Sequence, residues 1–508
     1  MKRKRLFLLG AVQVLLLLTG CSPGAEPSAS ASPEPSATPT PVPVTFSLPY
    51  YGAASLHPIT GQSKTNLALT SLVYEGLFAL DGQFAAVPVL AESWTVSEDG
   101  RTYTFLLKAA SFSDGSALRA EDVAASLELA RTSGQYGARL ADVTEVSAEE
   151  DMVVVTLSRP NGAFPTLLDI PVVRDLGEEE PPLGTGRYAY AGKGESLRLE
   201  KTARGADSLP ETIPLTMIQG ADDLIYAFDT KEVSLVCADL TGSDTLGYSG
   251  GYEVWDYPTT NMVYLGFRTD RGPCRDGELR RSISMAVDRN TIVTALYAHH
   301  AREASLPVSP VSACYDRTLA ESLDYSPQEA ADALAAAGYV LREGILYQGR
   351  TAVALTMVVN TDNSFRLAAA EYLAGELEKL GLQVTVEKLS WQDYTSRLTS
   401  GDFDLYLAET SMTADFDPEP LIGRGGILNY GRWSDGETEG LLAAFRAAAG
   451  AERREAAGAL YARLAQEAPI APICFKDQSV LTQWGQVGGL TPVRGDPFAG
   501  DGWYIIQE

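Results

Sequence analysis

GLQVTVEKLSWQDYTSRLTSGDFDLYLAETSMTADFDPEPL, residues 381 to 421, is the stretch whose reading decides the fold. Leu382, Val384 and Val386 alternate as the buried face of a strand does. Trp391 opens a short helical run in which Tyr394 and Leu398, four apart, share a face. Asp404, Leu405, Tyr406 and Leu407 read as a second, buried strand, which leaves into the acidic, proline-broken loop 414–420. Strand, helix and strand in this order predict an α/β sheet, and ligands sit where strands of such sheets run out into loops. An aromatic, Trp391, and acids in that loop suggest a platform and an anionic anchor for a cationic or amphoteric small ligand. Asp417, before Pro418, reads either as a helix N-cap or as a ligand group. Asp415 has no such capping explanation and is the candidate anchor.

A chain of 508 residues exceeds one hydrophobic core and predicts two or three domains. Its composition, 45% hydrophobic and 21% charged, is that of an ordinary globular protein. The net charge is −26, and −30 once Lys2, Arg3, Lys4 and Arg5 are set aside. Such a surface repels phosphate backbones, which excludes nucleic acid as a partner. Those four cations precede an apolar run, 6–18, that would span only roughly 20 Å as a helix, too short for a bilayer. It reads as an export signal. Residues 22–43 are Pro, Ser, Ala and Thr with almost nothing to bury, a tether reaching up to roughly 70 Å. Of the remaining cysteines, Cys237, Cys274, Cys314 and Cys474, Cys237 reads as a small core residue. Three pairings are open to the four in an oxidising compartment. No CxxC signals zinc or redox chemistry.

Further along, 44–48 reads as a first strand and Leu67, Leu69, Leu72, Val73 and Leu77 as one helix. Asp81-Gly82 predicts a hairpin, Asp99-Gly100 and Asp114-Gly115 further turns. Tyr103, Phe105 and Leu107 alternate on a strand over 102–107, and a helix follows over 120–131. Gly247-Tyr248-Ser249-Gly250-Gly251 fits the nucleophile-elbow pattern, but the alternation of 252–255 after it predicts a strand where the elbow needs a helix. His57, His299 and His300 are the only histidines; the adjacent pair is expected on a helix end, pointing apart, so no shared metal is expected.

YEGLFALDGQFAAVPVLAESWTVSEDGRTYTFLLKAASFSDGSALRAEDVAASLELAR, 74–131, resembles the hallmark of the family 5 solute-binding proteins, the extracytoplasmic receptors of ABC importers. The similarity continues in PLGTGRY (182–188), YLGFRTDRGPCRDGELRRSISMAVDRNTIV (264–293), YSPQEAADALAAAGY (325–339), the stretch 366–421 and WSDGETEGLLAAF (433–445). Leu18-Thr19-Gly20-Cys21 resembles the lipobox of bacterial lipoproteins, in which the cysteine is acylated and becomes the mature N-terminus.

The resemblance implies a two-lobed periplasmic-binding-protein-like α/β fold with paired hinge strands. Mapped here, lobe one is 44–262 completed by 477–508, with an extra domain over 79–182, and lobe two is 263–476. The chain crosses near Thr260 and again near Phe475, and the cleft between the lobes holds the ligand. Ser113 and Arg187 depart from the family pattern at scaffold turns. The ligand-contact candidates it implies are Asp415, Trp391, Asn429, Asn261, Met262 and Arg366, with Cys21 for lipidation. For Trp391 core packing, and for Arg366 a surface helix start, compete with a ligand role. The expected function is a monomeric receptor, held on the outer face of the cell membrane, that passes a small ligand, a peptide first, to an ABC permease and its ATPase. No cofactor, resident metal or catalytic residue is expected. Nickel, a metal chelate or an oligosaccharide is the alternative ligand; an exported hydrolase and a ligand-sensing lipoprotein are the alternatives of other classes.

Overall fold

The two longest strands, Tyr252–Phe267 and Ile470–Gln483, run antiparallel and tie the molecule together. They belong to a seven-stranded mixed sheet in the order Leu235–Ala238, Ile470–Gln483, Tyr252–Phe267, Leu405–Ser411, Ala354–Asn360, Gln383–Leu389, with Ala301–Glu303 pairing on Ile470–Gln483. The computed structural model describes residues 45–177, 181–243 and 245–506; the export signal, Cys21 and the tether lie outside them.

Period-two alternation gives this sheet two buried faces. Val263, Leu265, Phe267, Leu405 and Leu407 join a core with the helices Gly277–Met285, Pro327–Ala336 and Ser364–Lys379. Met262, Tyr264, Tyr406 and Ala408, their neighbours in sequence, join the opposite core with Trp391–Ser400, Gly436–Ala447 and Gly450–Glu467. A separate large core gathers a mixed four-stranded sheet, led by Leu48–Tyr51, and an antiparallel one of Ala91–Val96, Thr102–Leu107, Met152–Leu157 and Val143–Glu149. The long strands pass from this core to the other two: Tyr257 and Val480 belong to the first, Met262 and Phe475 to the others.

In the stretch 381–421, Val384 and Val386 pack on the core from the sheet's edge strand, and Tyr394 and Leu398 are buried on one helix face. Ser390 caps that helix at its start. Gly401 ends it at φ +72, where a Cβ would lie on the Arg268 guanidinium. Tyr103, Phe105 and Leu107 are buried as their alternation requires.

Several local expectations are corrected. The first strand is Leu48–Tyr51, later than 44–48. The single helix over 67–77 is two short ones, Lys64–Leu67 and Thr70–Val73, because Tyr74 is already extended. The hairpin at Asp81-Gly82 is present, Phe78–Leu80 pairing antiparallel with Ala86–Pro88, but its loop is longer than a two-residue turn: Asp81 accepts from the amides of Gln83 and Ala85, and Phe84, not Gly82, takes the left-handed conformation at φ +63. Cys237 is exposed rather than core, and the four cysteines described are free thiols. His299, at φ +66, lies in a turn instead of on a helix, and His300 Nδ1 meets Asp256 at 3.0 Å. After Gly247–Gly251 comes the strand Tyr252–Phe267, so no elbow forms. No group of His, Cys, Asp and Glu able to hold a metal occurs among the described residues.

Candidate cleft at the strand crossing

Where the long strands change cores, their ladder breaks. Pro258 pairs with Asp477 and Met262 with Phe475, so three residues, Thr259, Thr260 and Asn261, face the single Lys476. Pro258 brings no amide to the ladder, and a bulge of this kind bends and twists the strand that carries it. The Thr259 hydroxyl fills the gap, donating to the Lys476 carbonyl at 2.6 Å and accepting from the Asn261 amide at 3.0 Å. Lys476, only 2% exposed, sends its ammonium to Asp239 at 2.7 Å and Glu409 at 3.2 Å. Asp239 follows the strand Leu235–Ala238, and Glu409 lies on Leu405–Ser411, so one cation joins both sides of the crossing.

Thr259, Thr260 and Asn261 form part of the wall of a cavity of about 2000 Å³. One side is built by Tyr74, Glu75, Tyr136, Arg139, Tyr248 and Trp255, the other by Arg366, Trp391, Tyr394, Glu409 and Tyr430. Seven basic and eight acidic residues line it, so it is close to electroneutral in a chain of charge −26. Such a lining suits a ligand carrying both signs.

The candidates drawn from the sequence divide. Trp391 lines the cavity and is 59% exposed, which rules out core packing. Arg366 also lines it: Asn363 caps its backbone amide at 2.9 Å, its Nη1 reaches Glu409 at 3.3 Å, and its Nε is buried without a hydrogen-bond partner among the described residues. Asn261 lines the cavity and accepts from the Ser411 hydroxyl. Met262, next along the strand, points the other way and is wholly buried in the core. Asn429 is used up inside its own loop, donating to the Gly423 and Trp433 carbonyls at 3.0 and 2.8 Å and accepting from the Trp433 amide at 2.9 Å.

Asp415 is buried outside the cavity wall. Its carboxylate accepts from Asn161 Nδ2 at 3.0 Å and from the Thr413 hydroxyl. Phe416 beside it packs between Phe84 and Phe475, at 5.2 and 5.8 Å between ring centres. Asp417 accepts from the Glu419 amide at 3.0 Å as a cap would, but its other oxygen takes Arg446 at 2.8 Å, so it is also half of a buried ion pair. Burial, and then Asp415, push the Asp417 carboxyl up, while Arg446 opposes them. Arg159 pairs with Glu419 at 2.8 Å, and the Gly162 amide donates to the Arg446 carbonyl at 2.8 Å. The segment 159–162 thus clasps the loop 415–419 from the far core.

Reading the sequence missed Lys476, Glu409, Tyr136 and Arg494. A lysine directly after the apolar run 470–475 was the available signal for the first. Arg187, noted only as a departure, stitches the C-terminal tail down through the carbonyls of Phe498, at 2.8 Å, and Gly500.

Residues 85–424 match the family model described as bacterial extracellular solute-binding proteins, family 5 Middle. Protein XP55 of Streptomyces lividans is 28% identical over 395 residues, 72% of this chain and 69% of that protein. The oligopeptide-binding protein AppA of Bacillus subtilis is 22% identical over 408 residues, 74% and 75% of the two chains. Among solved structures, the periplasmic murein tripeptide binding protein MppA, in its unliganded open form, superposes with a TM-score of 0.75 at 20% identity, over 92% of this chain and 98% of that one.

Proposed function

The chain belongs to family 5 of the bacterial extracellular solute-binding proteins, and from that premise we propose that it captures a peptide in the cavity at the strand crossing and hands it to an ABC permease. The observation that carries this is the coincidence of three features at one place. The ladder gap at 259–261, the change of core and the cavity wall are the same residues. A bend there moves the two walls relative to each other, which is what capture by hinge closure needs. The volume exceeds the roughly 300–1,000 Å³ of ordinary small-molecule pockets, leaving room for several residues of peptide and water.

On this reading the lobes divide as 44–262 with 477–508 against 263–476, the stretch 79–182 being an extra domain in the first. Cys21 carries the lipid that holds the protein on the outer face of the membrane, and 22–43 is the tether. Asn261, Trp391 and Arg366 line the ligand. Of the acids lining the cavity, Glu409, Asp239 and Asp256 lie at the crossing and are the ones assigned to a peptide amine; Asp415, buried outside the wall, is not among them. No helix among the described residues is long and apolar enough to cross a membrane, consistent with attachment through Cys21. Capture requires no covalent chemistry.

The test is calorimetry and thermal shift with di- to penta-alanine, nickel with and without histidine, and malto-oligosaccharides. A peptide should bind, stabilise the protein by about 2.7 kcal/mol at a hundredfold excess over Kd, and shrink the radius of gyration in scattering. Binding of nickel or sugar alone, or peptide binding at constant radius, refutes the reading.

A further inference from the structure

Arg494 makes no direct ion pair among the described residues. It sits in the cavity wall in a tight turn closed by reciprocal bonds between Val493 and Asp496, with Gly495 at φ +72. The turn is held from behind: Asp496 accepts from the Phe498 amide at 2.9 Å, and Phe498 packs on Trp503 at 5.1 Å between rings. The side chain is therefore presented by a fixed scaffold. Its Nη1 is buried and has no hydrogen-bond partner among the described residues.

Its surroundings make this costly. Arg139 lines the same wall, and its charge, after burial itself, pushes the Arg494 guanidinium down to about 10. Two carboxylates act on Arg494: Asp169, bound to Arg139 Nη1 at 2.6 Å, and more weakly Asp415, which already takes the Asn161 amide at 3.0 Å. Tyr136 stacks under Arg139, whose guanidinium carbon lies 5.0 Å from the ring centre. The Tyr136 hydroxyl accepts from Gln135 at 3.0 Å, so its own proton remains to be given. Burial raises that phenol to about 12, which keeps the proton in place at neutral pH. Two guanidiniums and one hydroxyl donor, set against two carboxylates already committed to other partners, leave unused donors on a cavity wall.

We propose that Arg494, Arg139 and the Tyr136 hydroxyl form an anion subsite of the cavity, built to take a carboxylate of the captured ligand. The proposal rests on the cavity being the ligand site and adds that the ligand is anionic at the end that meets this wall. Arg366, the cationic ligand-contact candidate from sequence, lines the other side and already shares Glu409. A planar fork on a rigid turn favours carboxylate oxygens in a bidentate arrangement.

Calorimetry with tri-alanine, tri-alanine amide and the amide of Ala-Ala-Glu, on wild type and Arg494→Gln, tests it. Tri-alanine should bind wild type about a hundredfold tighter than its amide, the scale of an unpaired buried charge. Recovery of affinity in the Ala-Ala-Glu amide would assign the subsite to a side-chain carboxylate; no recovery assigns it to the chain terminus. Arg494→Gln should lose the same factor for tri-alanine and lose little more for the amide. The empty variant should melt no lower than wild type, since a buried cation with no direct ion pair to offset its desolvation has gone. Equal binding of acid and amide by wild type, or undiminished tri-alanine binding by Arg494→Gln, overturns the subsite while the peptide reading stands. If no peptide binds wild type, the peptide reading falls and citrate decides the subsite, with sodium chloride of equal ionic strength as control. A citrate-specific rise in melting temperature that Arg494→Gln lacks supports it, and the same response in both proteins refutes it.

Discussion

Lys476→Met removes one charge and keeps the stem that packs beneath it. In the wild type, Lys476 Nζ serves Asp239 at 2.7 Å and Glu409 at 3.2 Å from a side chain only 2% exposed. Removing one member of a fully buried pair typically costs about 3–5 kcal/mol, because its partner is left charged and dry. Here both carboxylates keep about a fifth of their exposure, and Glu409 retains Arg366 at 3.3 Å. Both facts lower the cost, to about 2–3 kcal/mol. With an unfolding entropy of about 2 cal/mol/K per residue, a body of this size loses about 1 °C per kcal/mol, so the melting temperature should fall by about 2–3 °C. Hydrogen exchange at the amides of 259–262 should quicken more than in the distant strand Thr102–Leu107. Adding Asp239→Asn and Glu409→Gln to Lys476→Met should restore most of the loss, since the stranded charges go with their partner. A Lys476→Met protein as stable as wild type, with exchange at the crossing unchanged, would refute the view of Lys476 as the pin of the hinge.

Gly162→Ala should break the clasp, because its Cβ would lie 2.1 Å from the Ala448 carbonyl oxygen. Losing the Gly162–Arg446, Asn161–Asp415 and Arg159–Glu419 contacts should cost about 3–5 kcal/mol in urea unfolding. Asp477 is buried on the long strand, and burial raises its carboxyl above 3.8 although Arg302, at 2.9 Å, opposes the shift. Between the unfolded and the raised folded value the native state holds the extra proton, so this group's stabilisation is full below about pH 3.8 and is lost as pH rises through the folded value. Asp477→Asn should therefore gain stability relative to wild type on going from about pH 3.5 to pH 7 in parallel melts, and a difference that shrinks with pH contradicts the assignment. Cys21→Ser should leave the protein uncleaved or shed into the medium, read by fractionation, because a lipid on that thiol is the proposed anchor.

What the sequence made legible were the elements whose burial repeats with a short period. Tyr103, Phe105 and Leu107, or Tyr394 and Leu398, announce their faces because helix and strand geometry repeats every few residues. The same rule, applied strictly, would have separated Asn261 from Met262, since neighbours on a strand face opposite ways. The crossing is a pleated strand, so of these two neighbours only Asn261 faces the cavity. Asp415 and Asn429 look like ligand groups by residue type, yet Asn161 and the Trp433 backbone claim them, and neither partner is visible from local spacing. Tyr136 and Arg494 meet only through the folded tail, so no periodicity links them. The Arg-Gly-Asp-Pro turn at 494–497 was open to reading as a turn, but not as one that aims a cation into a cavity.

On the proposed capture by hinge closure, the crossing is what lets a molecule with three large cores move as two parts. A continuous ladder between the long strands would resist bending, since each backbone bond would have to stretch together. Here the ladder stops between Pro258 and Met262, and side chains, those of Thr259 and Lys476, span the gap in its place. Side-chain contacts can pivot where a ladder cannot. Beside the gap, Phe416 packs on Phe475 and the clasp from 159–162 holds the loop 415–419, so the pivot is braced by apolar packing. Braces near an axis limit sliding while leaving rotation open. A ligand shifts such an equilibrium only by the free energy it gains in one arrangement over the other. Moving the population from 1:99 to 99:1 takes about 5.5 kcal/mol of preference. Groups on both walls must therefore grip the ligand at once, and the unused donors of Arg494 and Tyr136 on one wall, with Arg366 and Trp391 on the other, are placed to supply that difference.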